Sequence, residues 1–129
     1  MSTTQSADVS TAVSSCRPES VTPVRIDATD LDSTAPEYLR DLKTELAEAG
    51  YQPAVVGVEA CFDEDCSLAT QSEADRLREF VRTAAFLGAG RLAVTVESVA
   101  DREKVDPALD ALAERARREG VTLDVTHAA

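Results

Sequence analysis

The stretch that decides the fold is TQSEADRLREFVRTAAFLGAGRLAVTVE, residues 70–97. It opens with the capping-box spacing Thr70 to Glu73 and continues with apolar residues at helical intervals, namely Leu77, Phe80, Val81, Ala84 and Ala85. Gly88 ends this pattern, and the apolar run Leu92–Val96 follows and ends at Glu97. The stretch therefore predicts a helix and then a buried strand, which together form a unit of a parallel α/β sheet.

The same order of helix, glycine and apolar strand occurs on both sides of this stretch. Upstream, a second capping box at 34–37 opens a helix that ends at Gly50, and the strand 54–58 follows and ends at Glu59. Downstream, Asp106-Pro107 opens a helix that ends at Gly120, and the strand 121–125 follows. A β-rich run at 21–26, which ends at Asp27, precedes all of them.

These units predict an α/β fold with the order βαβαβαβ, in which a parallel sheet is covered by helices. The strands are expected near 22–27, 54–59, 92–97 and 121–126. This is half of a (βα)8 barrel, which typically needs about 250 residues. A half barrel has two open sheet edges, so we expect either a small open α/β sandwich or a homo-oligomer.

The chain has 129 residues, and its first 20 are rich in Ser, Thr and Ala. Residues 1–20 are therefore predicted to be a disordered tail, and residues 21–129 a single α/β domain. The N-terminus has neither a basic start nor an apolar signal core, and no apolar stretch reaches 18 residues. We therefore expect a cytoplasmic protein without a membrane partner.

The formal net charge is −11, from 24 acidic and 13 basic residues. Lys43 and Lys104 are the two lysines, against eleven arginines. An acidic surface with few lysines favours a halophilic, haloarchaeal cytosolic protein, with an acidic mesophilic protein as the alternative. Nucleic acids and anionic membranes need a basic footprint, so the charge argues against both as partners.

Three segments of the sequence resemble a known family. Residues 76–96 of the quoted stretch are similar to the segment of helix, Gly-Ala turn and strand in the xylose-isomerase-like TIM barrels. This family includes sugar-phosphate isomerases, epimerases and related endonucleases. LDALAERARREGVTL (109–123) resembles the next helix and strand of that fold, and LKTELAEAGYQPAVVGV (42–58) the preceding unit. The resemblance covers roughly residues 36–126 and implies a TIM-barrel-like architecture with a small sugar-like ligand.

One departure from the family concerns its metal site. In the family, the strand after the GVTL segment ends in a glutamate that binds the catalytic metal, whereas Thr126 stands there in this chain. The half of the barrel that supplies the other ligands is also missing. The resemblance therefore favours the fold over the inheritance of isomerase activity.

The carboxyl ends of parallel strands are where sites form in such folds. These ends carry Asp27, Glu59, Glu97 and, after the last strand, His127. Together they could hold a divalent metal or perform acid–base chemistry. The alternative is that the three carboxylates are ordinary solvated acids of an acidic protein and that His127 belongs to a frayed chain end.

A pair of cysteines, Cys61 and Cys66, flanks the loop after the second strand. They could be free thiols, a redox pair or ligands of a metal, and their spacing does not decide among these.

Two functional hypotheses follow. The first is a non-catalytic half barrel that assembles with itself or with a partner. The alternative is a small metal-dependent isomerase or epimerase that acts on a sugar or sugar phosphate through Glu59, Glu97 and His127.

Overall fold

The centre of the fold is a parallel sheet. The computed structural model describes residues 21–128. In this range the strands are β1 (Thr22–Asp27), β2 (Tyr51–Phe62), β3 (Arg91–Val99) and β4 (Thr122–His127). They lie side by side in the order β1-β2-β3-β4, and each neighbouring pair is parallel. The predicted order βαβαβαβ and the parallel sheet are confirmed, while the predicted tail 1–20 lies outside the described residues.

Helices α1 (Pro36–Glu48), α2 (Ser67–Leu87) and α3 (Arg102–Arg118) connect the strands, and a 3-10 turn (Ala28–Asp30) follows β1. Strand β2 is longer than predicted and continues past the end of β1, which pairs with it only as far as Gly57. Within residues 21–128, no helix has the length and apolar character needed to cross a membrane.

The helices form one layer on one face of the sheet. The strands follow one another in chain order, and right-handed crossovers then place every connecting helix on the same side. In agreement with this, α2 packs against both α1 and α3. The core lies between the two layers and includes fully buried side chains of both: Val56, Leu77, Val81, Leu92 and Val94. No helix in the described range covers the opposite face of the sheet.

The starts of the first two helices differ from the sequence predictions. Helix α1 begins at Pro36 after Ala35, and no side chain caps it. Proline has the backbone angle of a helix already and no N–H to satisfy, so it can open α1 without the Thr34 cap. Helix α2 begins at Ser67, which places Thr70 inside the first turn, where its hydroxyl donates to the Cys66 carbonyl. The capping box at 70–73 is therefore absent.

Helix α3 begins at Arg102, ahead of the predicted start at Asp106-Pro107. The Asp101 carboxylate accepts a hydrogen bond of 3.0 Å from the Glu103 N–H, which makes Asp101 the N-cap. Val105 lies in the turn that the sequence prediction leaves out, and it is 1% exposed in the core. The burial of Val105 and the cap stabilise this turn, although Pro107 removes one backbone donor from the helix.

The predicted helix ends at glycine are confirmed. Gly50, Gly88 and Gly120 have φ angles of 86°, 80° and 80°. This left-handed conformation closes a helix and is costly for residues that have a Cβ.

Candidate functional site on the open face of the sheet

The uncovered face of the sheet, called here the open face, carries several charged and hydroxyl side chains of the strands. Val56, Val58 and Val96 point into the core and are nearly inaccessible, whereas Glu59 and Glu97 are exposed. Side chains alternate between the two faces of a strand, so both glutamates lie on the open face. The alternation thus separates an apolar helical side from a polar open side.

Strand register aligns the open-face residues in rows. Asp27 pairs with Gly57, Gly57 with Ala93, and Ala93 with Asp124. One step towards the carboxyl ends, Glu59 pairs with Thr95 and Thr95 with Thr126. Thr126 therefore lies on the open face in line with Glu59.

A cleft of about 210 Å³ lies on the open face over β1 and β2. Its polar lining comes from Arg25, Asp27, Thr29, Glu59 and Thr95. Arg25 Nε donates to Asp27 Oδ1 at 2.8 Å, and the guanidinium lies so close over Gly57 that a Cβ there would overlap it. The missing side chain of Gly57 thus makes room for the ion pair. The cleft offers one guanidinium, two carboxylates and two hydroxyls to a small polar molecule.

Glu59 and Glu97 lie inside β2 and β3, three and two residues before the strands end, and not at the strand ends that the sequence predicts. They also do not share a row. Ala60 pairs with Val96 and Cys61 with Ser98, so Glu97 falls at an irregularity of the ladder. In residues 21–128, no group of three or more His, Cys, Asp and Glu side chains is arranged to hold a metal ion.

His127 lies on the helical side of the sheet. It lines a cleft of about 360 Å³ with Leu109 and Asp110 of α3 and with Val125 of β4. Val96 pairs with His127, so His127 shares the face of the core residue Val96 and not that of Glu97. The structure therefore does not bring His127 together with Glu59 and Glu97, contrary to the expectation that they converge.

The cysteines on either side of the loop after β2, Cys61 and Cys66, are both exposed free thiols. Cys66 directly precedes α2, and Cys61 is a strand residue of β2. The loop between them is tied to α3 because Lys104 Nζ donates to Asp65 Oδ1 at 2.6 Å. This contact lowers the pKa of Asp65, first through the hydrogen bond and then through the charge of Lys104.

Sequence reasoning missed the role of Glu73 and Arg76, a pair on α2 that binds the edge of β2. Arg76 Nη2 donates to the Glu59 carbonyl at 2.6 Å, and the Cys61 N–H donates to Glu73 Oε2 at 2.9 Å. Arg76 Nε donates to Glu73 Oε1 at 2.9 Å and joins the two side chains. They thus satisfy backbone groups of β2 beyond the end of β1, on the edge of β2 that faces away from β3.

The contacts of this pair also shift the pKa of Glu73. The hydrogen bond from Arg76 is the main cause that lowers it, and the bond from the Cys61 N–H adds to the effect. The spacing of Glu73 and Arg76 signals an ion pair on one helix face, but the sequence gives no sign of the strand edge that the pair binds.

Comparisons with known proteins agree with this architecture. A family model described as a domain of unknown function (DUF8564) matches residues 20–125. No curated protein matches the chain significantly. Among solved structures, the chain is similar to the crystal structure of a xylose isomerase domain protein from Planctomyces limnophilus, with a TM-score of 0.60 and 14% identity.

That match covers 81% of this chain and 44% of the other, so this chain spans less than half the length of the protein that it resembles. The expected likeness to xylose-isomerase-like barrels is thereby confirmed at the level of the fold, and at this identity it extends no further.

Proposed function

The chain belongs to the DUF8564 family, a domain family of unknown function, and we propose a function for it from the architecture of the fold. We propose that the protein is a half-barrel subunit, which pairs with a second copy of itself and has no catalytic activity alone. The observation that supports this most is the uncovered face, since all-parallel sheets occur almost only with both faces covered. Its likeness to less than half of a longer barrel protein points the same way.

The proposed pair forms edge to edge. Strand β4 of one copy lies beside β1 of the other, and two such contacts close eight parallel strands into a barrel. The two open faces then become the interior of that barrel. Pairing also removes both free edges of the sheet. Free edges otherwise expose unpaired backbone groups that can pair with strands of other chains.

Charges on the open face are compatible with this closure. Arg25 pairs with Asp27 at 2.8 Å, and Arg91 pairs with Asp124 at 3.2 Å. Near the amino end and the middle of the strands the charges therefore cancel within one copy, which lowers the cost of enclosing them. Glu59 lies nearer the carboxyl end, where a closed barrel is open to water.

Light scattering after size-exclusion chromatography tests the pairing, in dilute buffer and in concentrated KCl. We expect a mass of about twice 13.7 kDa. The substitution Thr95→Arg places a long charged side chain in the middle of the open face, so we expect it to yield a folded monomer. Ala47→Arg, on the exposed surface of α1, is the matched control and stays paired. A monomeric wild type, or a paired Thr95→Arg variant, contradicts the proposal.

The acidic composition supports a second part of the proposal, which is that the protein is adapted to concentrated salt, as in a haloarchaeal cytosol. The chain carries 24 acids and 13 bases, and Lys43 and Lys104 are the two lysines. A rise of the melting temperature with KCl concentration tests this adaptation.

The alternative is a metal-dependent isomerase or epimerase that acts on a sugar-like substrate. The cleft lined by Arg25, Asp27, Glu59 and Thr95 favours it, because this cleft opens on the face that becomes the barrel interior. Titration calorimetry with Mn²⁺ tests it. Under this alternative Glu59→Gln and Glu97→Gln abolish binding, whereas solvated acids leave both the metal affinity and the stability unchanged within about 0.5 kcal/mol.

A further inference from the structure

A groove between α2 and α3, on the outside of the helical layer, concentrates positive charge on this acidic protein. Its cavity of about 220 Å³ is lined by Arg78 of α2 and by Arg115 and Arg118 of α3. The other lining residues are neutral: Gln71, Ala74, Ala108, Ala111 and Leu112. No carboxylate in the described residues lines this cavity, although the whole chain has 24 acids and 13 bases.

The guanidinium groups of this groove keep donors available. Arg78 has an ion-pair contact of 3.6 Å with Asp75, which is too long for a hydrogen bond. Arg115 uses its Nε for Glu119 at 2.8 Å, which leaves its two terminal nitrogens. Arg118 has no ion-pair partner among residues 21–128. In the same helix Arg117 is paired with Glu114 at 2.6 Å and lies outside the groove.

The helix dipole accounts for only part of this arrangement. Cations in the last turn of α3 are stabilised by its negative end, which explains Arg115 and Arg118. Arg78 lies in the middle of α2, where the dipole gives no such benefit. The alanines at 74, 108 and 111 line the cavity together with the three arginines, and their short side chains leave room for a ligand.

We propose that this groove binds a phosphate group, either as free phosphate or as the phosphate of a small monoester. Guanidinium groups match phosphate oxygens in geometry and form charge-assisted hydrogen bonds with them. Three guanidinium groups from two helices can contact several oxygens of one dianion. The groove is on the face opposite to the open face, so this inference is independent of the proposed pairing.

The test is an NMR titration of the arginine Nε–H signals with inorganic phosphate and, separately, with glycerol 2-phosphate, at constant ionic strength in KCl. We expect saturable shifts confined to Arg78, Arg115 and Arg118. Arg118→Gln weakens the affinity roughly tenfold or more, as expected for the loss of a charge-assisted hydrogen bond. The neighbouring Arg117→Gln leaves it unchanged. The tighter of the two phosphates identifies the source of the ligand.

Acetate at the same ionic strength distinguishes a phosphate site from general attraction of anions. Equal effects of acetate and phosphate, equal losses in Arg117→Gln and Arg118→Gln, or shifts that never saturate would overturn the proposal. Circular dichroism of each variant checks that it is folded.

Discussion

Gly120 ends α3 with a φ of 80°, and an added Cβ there has no heavy atom within 4 Å. Any cost of Gly120→Ala therefore comes from the backbone conformation, and we expect a loss of about 1 kcal/mol of unfolding free energy. Gly90 is the matched control, because it has equal space but no positive φ. We expect Gly90→Ala to change stability by less than about 1 kcal/mol, in the stabilising direction. Urea denaturation of both variants measures the difference. Equal losses of unfolding free energy would contradict the conclusion that the positive φ of Gly120 causes the cost.

The pair of Glu73 and Arg76 predicts a second effect at a single residue. Glu73→Ala removes the acceptor of the Cys61 N–H and the partner of Arg76, so we expect a loss of about 1–2 kcal/mol. Glu79→Ala is the control on the same helix, since among residues 21–128 the Glu79 carboxylate makes only an exposed contact of 3.5 Å with Arg82. We expect its loss to stay below about 0.5 kcal/mol. A Glu73→Ala variant as stable as the control shows that the pair does not support β2.

The lowered pKa of Glu73 also predicts a pH dependence. A carboxyl group whose pKa is lower in the folded state stabilises the fold above its ordinary value of 4.5. This stability is lost as the pH falls from 4.5 through the folded pKa. We expect the wild type to exceed Glu73→Gln in stability at neutral pH and this advantage to shrink on acidification below 4.5. Denaturant titrations across this range measure it, and a constant difference would be evidence against the charged contact.

At the scale of secondary structure, the first turn of α3 gives a testable contrast. Asp101 accepts from the Glu103 N–H, whereas Asp106, the predicted start, is an interior helix residue with an exposed contact of 3.7 Å to Arg102. Asp101→Ala should cost about 1 kcal/mol as the loss of an N-cap. Asp106→Ala should cost less than about 0.5 kcal/mol. Thermal denaturation of the two variants compares these losses. A larger loss for Asp106→Ala than for Asp101→Ala would indicate that the helix begins at Asp106.

At the scale of the whole molecule, the net charge of −11 predicts a response to salt. Repulsion among the acids destabilises the folded state in dilute buffer, and salt shortens the Debye length from about 10 Å at 0.1 M to about 3 Å at 1 M. We therefore expect the melting temperature to rise substantially between about 0.1 M and about 2 M KCl. Calorimetry in both buffers provides the measurement. A flat response would show that the acidity is no adaptation to salt.

The order of the elements and the helix ends could be predicted from the sequence because they depend on local chemistry. The apolar runs 54–58 and 92–96 lie in strands, and Gly50, Gly88 and Gly120 supply the left-handed backbone that few other residues adopt. The helix starts were less predictable. At α3 the burial of Val105 in the core, which is a tertiary contact, adds a turn ahead of Pro107.

The candidate site was predicted only in part, since its geometry depends on register and on contacts between distant residues. Asp27 and Glu59 line one cleft on the open face, as their places at neighbouring strands suggest. His127 lies on the other face because Val96 pairs with it, and a shift of one residue in β4 would reverse that outcome. The strand edge bound by Glu73 and Arg76 exists only because β2 extends beyond the end of β1. Local sequence thus determined the elements, while packing across the sheet decided which side chains meet.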